Sequence, residues 1–277
     1  MYDILWCIQL NNIVFIYQRI QTGGVFLFST FTIFDIEFKT FPFVILLGLI
    51  TSVLTYLFSK KYKKFYRIML LKIGIPTLIG AAIGARLFSA ITLNTVSQQP
   101  FWYNLIYGGS VFYGGVIGGS VGLLIACLIK KYEVLVFSDL IVTLLPIGHA
   151  IGRIGCYFNG CWYGNQYAGF LAVDYIVDGV EMSVFPTWFV EAVFCLMLFI
   201  YFQLIHKNNT AGVRTAIYCI SYSIYRFIIE FMRGDEIRGF VGSLSSSQLI
   251  SIFILFAGFL ILYISLKNKK NNYLFNE

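Results

Sequence analysis

The sequence is divided into apolar runs of about 20 residues, the length of helix that crosses the hydrocarbon core of a bilayer. Hydrophobic residues make up 58% of the 277 residues and charged residues only 12%, too few polar side chains to cover a soluble globule. Each run is expected to be an unbroken helix, because lipid offers no partners for free backbone amides and carbonyls. The runs cover residues 41–59, 68–91, 111–130, 134–157, 186–206, 211–232 and 247–266. The sequence therefore predicts an all-α membrane protein with seven transmembrane helices.

Residues 1–40 precede the first run and alternate aromatic or β-branched residues with polar ones. They lack the charged, apolar and small-residue regions of a signal peptide in the right order, so we expect an interfacial or short extracytoplasmic segment. Residues 41–268 are predicted to form the transmembrane domain, and residues 269–277 a cytoplasmic tail.

The basic residues predict the orientation of the helices. The loops at 92–110 and 158–185 contain no lysine or arginine. Basic residues cluster instead in or beside the alternate loops and the C-terminal end, and they are Lys60, Lys61, Lys63, Lys64, Arg67, Lys130, Lys131, Lys207, Arg214, Lys267, Lys269 and Lys270. The positive-inside rule then puts the N-terminus outside and the C-terminus in the cytoplasm. The net charge of +7 is explained by this topology, so no nucleic-acid partner is predicted.

Further arginines lie where topology does not require them, namely Arg86, Arg153 and Arg226 within predicted helices and Arg233 and Arg238 just beyond the sixth. A central arginine costs roughly 2.5 to 3.5 kcal/mol on insertion scales, so a functional role is one interpretation. The alternatives are snorkelling and an internal ion pair. Arg226 has a candidate partner in Glu230, four residues later on the same helix face, and Arg233 is predicted to continue that face.

Glycines recur at helical spacing in the third and fourth runs. In the third run they are Gly114, Gly115, Gly118, Gly119 and Gly122, which predicts close packing against another helix. The fourth run carries Gly148, Gly152 and Gly155, followed by Asn159. About 100° round that helix, a second stripe of His149, Arg153, Cys156 and Gly160 presents an imidazole, a guanidinium and a thiol. The two stripes together predict the wall of a cavity.

The run G-R-I-G-C-Y-F-N-G-C-W-Y-G at 152–164 resembles the signature of bacterial prolipoprotein diacylglyceryl transferases, usually G-R-x-G-N-F-x-N-G-E-x-x-G. The similarity covers about residues 35 to 268, and seven spans with the N-terminus outside are also the family's layout. Further segments in the family's order are F-Y-G-G-V-I-G-G at 112–119, Pro186 followed by Glu191, R-F-I-I-E-F-M-R at 226–233 and S-S-Q-L-I-S-I at 246–252.

The resemblance implies transfer of a diacylglyceryl group from phosphatidylglycerol to the lipobox cysteine thiol of a prolipoprotein signal peptide. The reaction forms a thioether and releases glycerol phosphate at the outer side of the bacterial cytoplasmic (inner) membrane. The implied partners are phosphatidylglycerol, the prolipoprotein and membrane lipid, and we expect no cofactor.

Matched to the family's motif, Arg153 and Arg233 are the predicted catalytic arginines, because guanidinium groups grip phosphate and stabilise a leaving group whose negative charge grows. The predicted substrate-binding residues are Arg226, Glu230, Asn159, Gly114, Gly115 and Arg86.

Three positions depart from the family's pattern, since Cys156 and Cys161 replace Asn and Glu, and Tyr113 replaces a histidine found in many members. A base is needed because a thiol with a pKa of about 8.5 is mostly protonated near neutral pH, and the candidates are Tyr113 and His149. Three interpretations of Cys156 and Cys161 stay open: small packing residues, a disulfide, or redox or acceptor chemistry. No metal site is predicted, because the pair lacks two further zinc ligands.

Two rival functions are a membrane thiol oxidoreductase that uses Cys156 and Cys161 with a quinone, and a phospholipid-binding or transport relative without catalysis. The first predicts that both cysteines are essential and the arginines less so. The second predicts phosphatidylglycerol binding without turnover.

Overall fold

The computed structural model describes residues 4–10, 13–18, 30–33, 36–59, 67–94, 100–107, 111–158, 162–177, 180–205, 210–234 and 240–270.

Most of the described chain is helical. Helices stand at all seven predicted positions, and the short α3 is additional. The helices are α1 (Thr40–Phe58), α2 (Arg67–Asn94), α3 (Phe101–Tyr107), α4 (Phe112–Lys130), α5 (Val134–Phe158), α6 (Thr187–Ile200), α7 (Val213–Ile229) and α8 (Ser246–Asn268).

Six helices of the described chain are long and apolar enough to cross a membrane. Their spans are Thr40–Phe58, Lys72–Ile91, Tyr113–Lys130, Val134–Phe158, Thr187–Leu204 and Ser246–Asn268. The shorter helix α7 has 17 residues and is not among the six. The chain is therefore an α-helical membrane protein.

The described residues before the first helix form strands. β1 (Ile4–Leu10), β2 (Ile13–Gln18), β3 (Thr30–Ile33) and β4 (Ile36–Lys39) form one antiparallel sheet in chain order, with Thr32 opposite Glu37. An alternation of apolar and polar residues is the period of a strand, so this sheet accounts for the pattern. Shorter hairpins follow later in the chain, from β5 (Val173–Val177) with β6 (Val180–Val184) and β7 (Phe240–Val241) with β8 (Leu244–Ser245).

The helix predicted over residues 186–206 continues without a break beyond the end of α6, but its geometry changes. The chain continues there as a π-helical turn, Tyr201–Ile205, and the carbonyl of Phe202 accepts a hydrogen bond from Nη1 of Arg214 at 3.2 Å. Arg214 itself, expected to be a charge beside a loop, lies in the first turn of α7 and is 1% exposed. The Phe202 carbonyl of this wider turn thus accepts a hydrogen bond from a buried cation, a donor that lipid could not supply.

The chain divides into two compact units. The first consists of residues 1–58, 142–208 and 213–268, and the second of residues 59–141, 209–212 and 269–277. The first unit contains α1, most of α5, and α6 to α8, whereas the second contains α2, α3 and α4.

In the first unit, α1 packs on the glycine stripe of α5. A Cβ atom built on Gly48 would lie 2.9 Å from the carbonyl oxygen of Gly148, and one built on Gly155 would lie 3.1 Å from Val44. Among the described residues, nothing lies within 4 Å of a Cβ built on Gly152, which is predicted to pack with them. The packing prediction is therefore confirmed for Gly148 and Gly155 and stays a prediction for Gly152.

In the second unit, the glycines of α4 pack on those of α2, as predicted. A Cβ on Gly84 or Gly118 would overlap backbone atoms of the other helix, and one on Gly122 would lie 2.5 Å from the carbonyl oxygen of Pro76. Small residues let helix backbones approach closely in a membrane, where packing replaces the hydrophobic effect as the driving force.

Candidate active site

The second stripe of α5 meets a carboxylate of α6. Arg153 donates from Nη2 to Oε1 of Glu191 at 2.8 Å, and Nε2 of His149 lies 3.4 Å from the same oxygen. Arg153 also donates from Nη1 to Sγ of Cys156 at 3.8 Å. Because residues at i and i+4 share a helix face, the sequence brings His149 and Arg153 to one carboxylate, and the predicted stripe of imidazole, guanidinium and thiol is confirmed.

Glu191 accepts hydrogen bonds from two further parts of the chain. The Trp162 indole Nε1 donates to Oε2 at 2.9 Å, and the Tyr222 hydroxyl donates to Oε1 at 2.9 Å. Glu191 is 0% exposed, and a buried carboxylate needs this many donors to offset its loss of hydration.

A second carboxylate, Glu230, lies between the other two arginines. Arg226 Nη1 is 2.5 Å and Arg233 Nη1 3.3 Å from the same Oε2 atom, so the predicted ion pair of Arg226 is confirmed. Arg226 also donates from Nη2 to the Ser247 hydroxyl at 2.9 Å. The prediction that Arg233 continues the helix face was wrong, because α7 ends at Ile229 and a 3₁₀ turn leads to an extended Arg233 at φ −76° and ψ 138°.

The start of α8 fixes the position of Ser247. The Ser245 amide donates to Oε1 of Gln248 at 2.9 Å, and the Gln248 amide donates to Oγ of Ser245 at 3.1 Å. This reciprocal pair is a capping box, which satisfies amides that the first turn of a helix leaves free. The S-S-Q-L segment therefore begins the helix so that its buried second serine can accept from Arg226.

The ring of Trp162 lies beside all three arginines. Its centroid is 4.0 Å from Cζ of Arg153, 4.6 Å from Cζ of Arg226 and 3.8 Å from Cζ of Arg233. The three guanidinium groups thus converge on one side chain, although the arginines come from α5 and from the end of α7.

Backbone pairing ties the segment after Trp162 to the end of α7. Gly164 and Arg233 form a β-bridge, and the Gly234 amide donates to the Tyr163 carbonyl at 3.1 Å. A Cβ on Gly164 would lie 2.5 Å from the Phe185 carbonyl oxygen, so only glycine fits there. The last glycine of the 152–164 motif therefore lets the chain pass close enough to hold Arg233 beside Trp162.

The described residues of the cluster carry more positive than negative charge. They are three guanidinium groups and two carboxylates, all nine-tenths or more buried: Arg153, Arg226, Arg233, Glu191 and Glu230. Nε of Arg153 is buried without a hydrogen-bond partner among the described residues. Because buried cations are stabilised by anionic partners, the arrangement is suited to bind a small anion such as a phosphate diester.

Four other predicted residues lie in the second unit. Arg86 on α2 donates from Nη1 to the Ile106 carbonyl at 2.9 Å, and Gly114 packs against Gly84. Tyr113 and Gly115 are partly buried on α4. Asn159 and Cys161 lie outside the described residues, so their predicted roles, and a disulfide with Cys156, stay predictions.

Sequence reasoning left Glu191, Trp162, Tyr222 and Ser247 out of the site. A signal existed for Glu191, because a carboxylate inside an apolar run is costly and marks a functional site. The others have ordinary sequence surroundings, and only the tertiary structure brings them to the arginines.

The chain is similar to proteins of one family. The family model for prolipoprotein diacylglyceryl transferase matches residues 29–264. Phosphatidylglycerol–prolipoprotein diacylglyceryl transferase 2 of Clostridium perfringens is 35% identical over 245 residues, which cover 86% of this chain and 95% of that protein. The phosphatidylglycerol–prolipoprotein diacylglyceryl transferase of Clostridioides difficile is 31% identical, over 87% of this chain and 96% of its own.

Proposed function

The chain belongs to the prolipoprotein diacylglyceryl transferase family and is a transferase, and we propose that its reaction takes place at the buried arginine cluster around Trp162. The diacylglyceryl group passes from phosphatidylglycerol to a prolipoprotein. The acceptor is the thiol of the lipobox cysteine in the signal peptide. Its sulfur forms a thioether bond to the glycerol carbon, the bond from that carbon to the phosphate oxygen breaks, and glycerol phosphate leaves.

The observation that carries this proposal is the convergence of three buried guanidinium groups on one side chain, Trp162. The phosphate diester of phosphatidylglycerol carries one negative charge, which such a set of cations can bind. Arg153 and Arg233 would hold its oxygens and stabilise the growing negative charge of the leaving group. Arg226 and Glu230 support them, because Glu230 Oε2 lies beside both Arg226 and Arg233.

The thiol must lose its proton during the transfer. His149 is the candidate base whose ring lies in the cluster, with Nε2 at 3.4 Å from Glu191 and its ring centroid 5.4 Å from that of Tyr222. Imidazole is the side chain whose ordinary pKa lies nearest neutral pH, so it suits a base that accepts the thiol proton. Tyr113 remains the alternative base, and Arg86, Asn159, Gly114 and Gly115 remain candidate contacts of the lipid.

The membrane arrangement completes the proposal. The transmembrane domain at 41–268 contains seven spans, with α7 as the sixth although it is short. The extracytoplasmic segment at 1–40 lies outside, and the tail at 269–277 lies in the cytoplasm. The basic residues between alternate spans support this orientation. It puts the ends of α5 and α7, and the cluster, toward the outer leaflet of the bacterial inner membrane.

One assay tests the transferase against its alternatives. Purified protein is incubated with phosphatidylglycerol and a lipobox peptide, and the thioether product is sought by mass spectrometry. We expect the product with the wild-type chain and none with Arg153→Ala. Binding of phosphatidylglycerol without product, where another family enzyme turns over, would instead support a non-catalytic relative.

A further inference from the structure

Trp162 connects the two ion-pair groups of the cluster. Its Nε1 donates to Glu191, the partner of Arg153. Its ring also lies within 4.6 Å of the guanidinium carbons of Arg226 and Arg233, the partners of Glu230. A cation beside the face of an indole is attracted by the ring quadrupole, and the attraction strengthens where water is excluded.

The attraction matters because three like charges are held close together. An indole has two faces, so at least two of the three guanidinium groups must share one. Arg226 and Arg233 already share one oxygen of Glu230, and Arg153 lies 4.0 Å from the same ring centroid. An aliphatic side chain at position 162 lacks this attraction, so it would offset less of the electrostatic repulsion between the three guanidinium groups.

The backbone at Trp162 is also held in an uncommon conformation. Its φ is +68°, in the left-handed region that bulky residues rarely adopt. The Thr187 hydroxyl donates to the Trp162 carbonyl at 2.5 Å, and the following residues pair with the end of α7. Such a conformation persists where its surroundings impose it and is enriched at functional sites.

We propose that Trp162 is a positioning residue that keeps three guanidinium groups converged on one phosphate without adding a negative charge. A carboxylate at this position would also attract the three guanidinium groups, but its negative charge would repel the phosphate. The inference rests on the proposed function, because it names the phosphate of phosphatidylglycerol as the ligand.

The test compares two substitutions of Trp162 in the full-length protein. Trp162→Phe keeps a ring but loses Nε1, whereas Trp162→Leu loses both. The control is Trp188→Leu, since the Trp188 ring packs on Tyr157 at 4.7 Å between centroids. We expect KM for phosphatidylglycerol to rise at least tenfold in Trp162→Leu and less than threefold in Trp162→Phe, with kcat changing less than KM. The control should stay within threefold of wild type.

Several outcomes would overturn the inference while the transferase function stands. An unchanged KM in Trp162→Leu removes the role. An equal rise of KM in Trp162→Phe shows that the Nε1 hydrogen bond to Glu191 matters and not the ring face. An equal rise of KM in Trp188→Leu shows a general packing effect. Should the leucine variant not fold, Trp162→Met replaces it as the variant without a ring, and a wild-type KM in Trp162→Met would refute the inference.

The two proposals fail in different ways. Absence of wild-type turnover removes the proposed function. Protection against thermal unfolding by phosphatidylglycerol, compared with phosphatidylcholine, then measures anion binding directly. The same ranking of Trp162 variants is expected there, and equal protection by both lipids in every variant would overturn the role of Trp162.

Discussion

Arg153 and Glu191 lie 38 positions apart in the chain and meet inside the first unit at 2.8 Å, with their side chains 9% and 0% exposed. An internal ion pair, which the sequence offers as an alternative to a functional role for such an arginine, is therefore present. It does not exclude a functional role, because among the described residues the cluster around the pair contains three guanidinium groups and only two carboxylates. Substitutions of Arg153 should thus affect both folding and catalysis.

Arg153→Ala should lower kcat/KM by at least a hundredfold, since loss of one donor to a growing negative charge costs about 10²–10³ in rate. It also leaves Glu191 buried without its cation, and breaking a buried pair costs about 3–5 kcal/mol. Thermal unfolding in detergent and the thioether assay measure the two effects. Arg153→Lys is the matched control, because it keeps the charge beside Glu191 but loses the planar fork. A lysine variant with wild-type turnover would contradict the phosphate-binding role.

Tyr222 and Tyr225 offer a matched pair on one helix. The Tyr222 hydroxyl donates to Glu191 at 2.9 Å, whereas the Tyr225 hydroxyl is buried without a hydrogen-bond partner among the described residues. Tyr222→Phe should destabilise the protein by about 1.5–3 kcal/mol, because it removes a hydrogen bond to a charged group. Tyr225→Phe should leave the melting temperature unchanged or raise it, and it keeps the stacking on Phe194 at 4.1 Å. A larger loss in Tyr225→Phe would refute this assignment.

Cys156 distinguishes the transferase from a thiol oxidoreductase. Its Sγ accepts from Arg153 at 3.8 Å, and sulfur is a weak acceptor. Cys156→Ala should therefore reduce transferase turnover less than tenfold, and Cys156→Asn should retain or raise it by supplying a carbonyl oxygen. Turnover of the single variants and of Cys161→Ala checks this. Thiol oxidation by a quinone that is lost in both alanine variants but retained in Arg153→Ala, with no thioether product, would instead favour the redox alternative.

Gly114 and Gly115 are adjacent but differ in their surroundings. A Cβ on Gly114 would overlap the Gly84 carbonyl and lie 2.5 Å from Cβ of Phe88, whereas one on Gly115 would make ordinary contacts of 3.5 Å or more. Gly114→Ala should destabilise the protein by about 1–3 kcal/mol through overpacking, and Gly115→Ala should not. Thermal unfolding measures the difference. Loss of turnover in a stable Gly115→Ala would support its predicted contact with the lipid.

Helix positions and stripes followed from local repeats in the sequence. The spacing of His149, Arg153 and Cys156 placed them on one face of α5, and the spacing of Arg226 and Glu230 predicted their ion pair. Helical geometry fixes such relationships within a few residues. The prediction failed for Arg233, because the chain leaves the α-helix at Ile229.

Contacts over long sequence separations did not follow from local pattern. Glu191 lies 38 positions from Arg153 and 29 from Trp162, and no periodicity relates residues of different helices and loops. The convergence of three arginines on Trp162 depends on the pairing of Gly164 with Arg233. The glycine motif at 152–164 can be recognised in the sequence, but the close approach of Gly164 to Arg233 cannot be predicted from it.

The described residues of the cluster include three guanidinium groups and two carboxylates, and this imbalance links lipid binding to the stability of the protein. An anionic lipid that binds to these cations also stabilises the fold, because its binding free energy adds to the free energy of unfolding. The concentration of anionic lipid in the surrounding bilayer therefore affects the lifetime of the folded protein as well as its turnover rate.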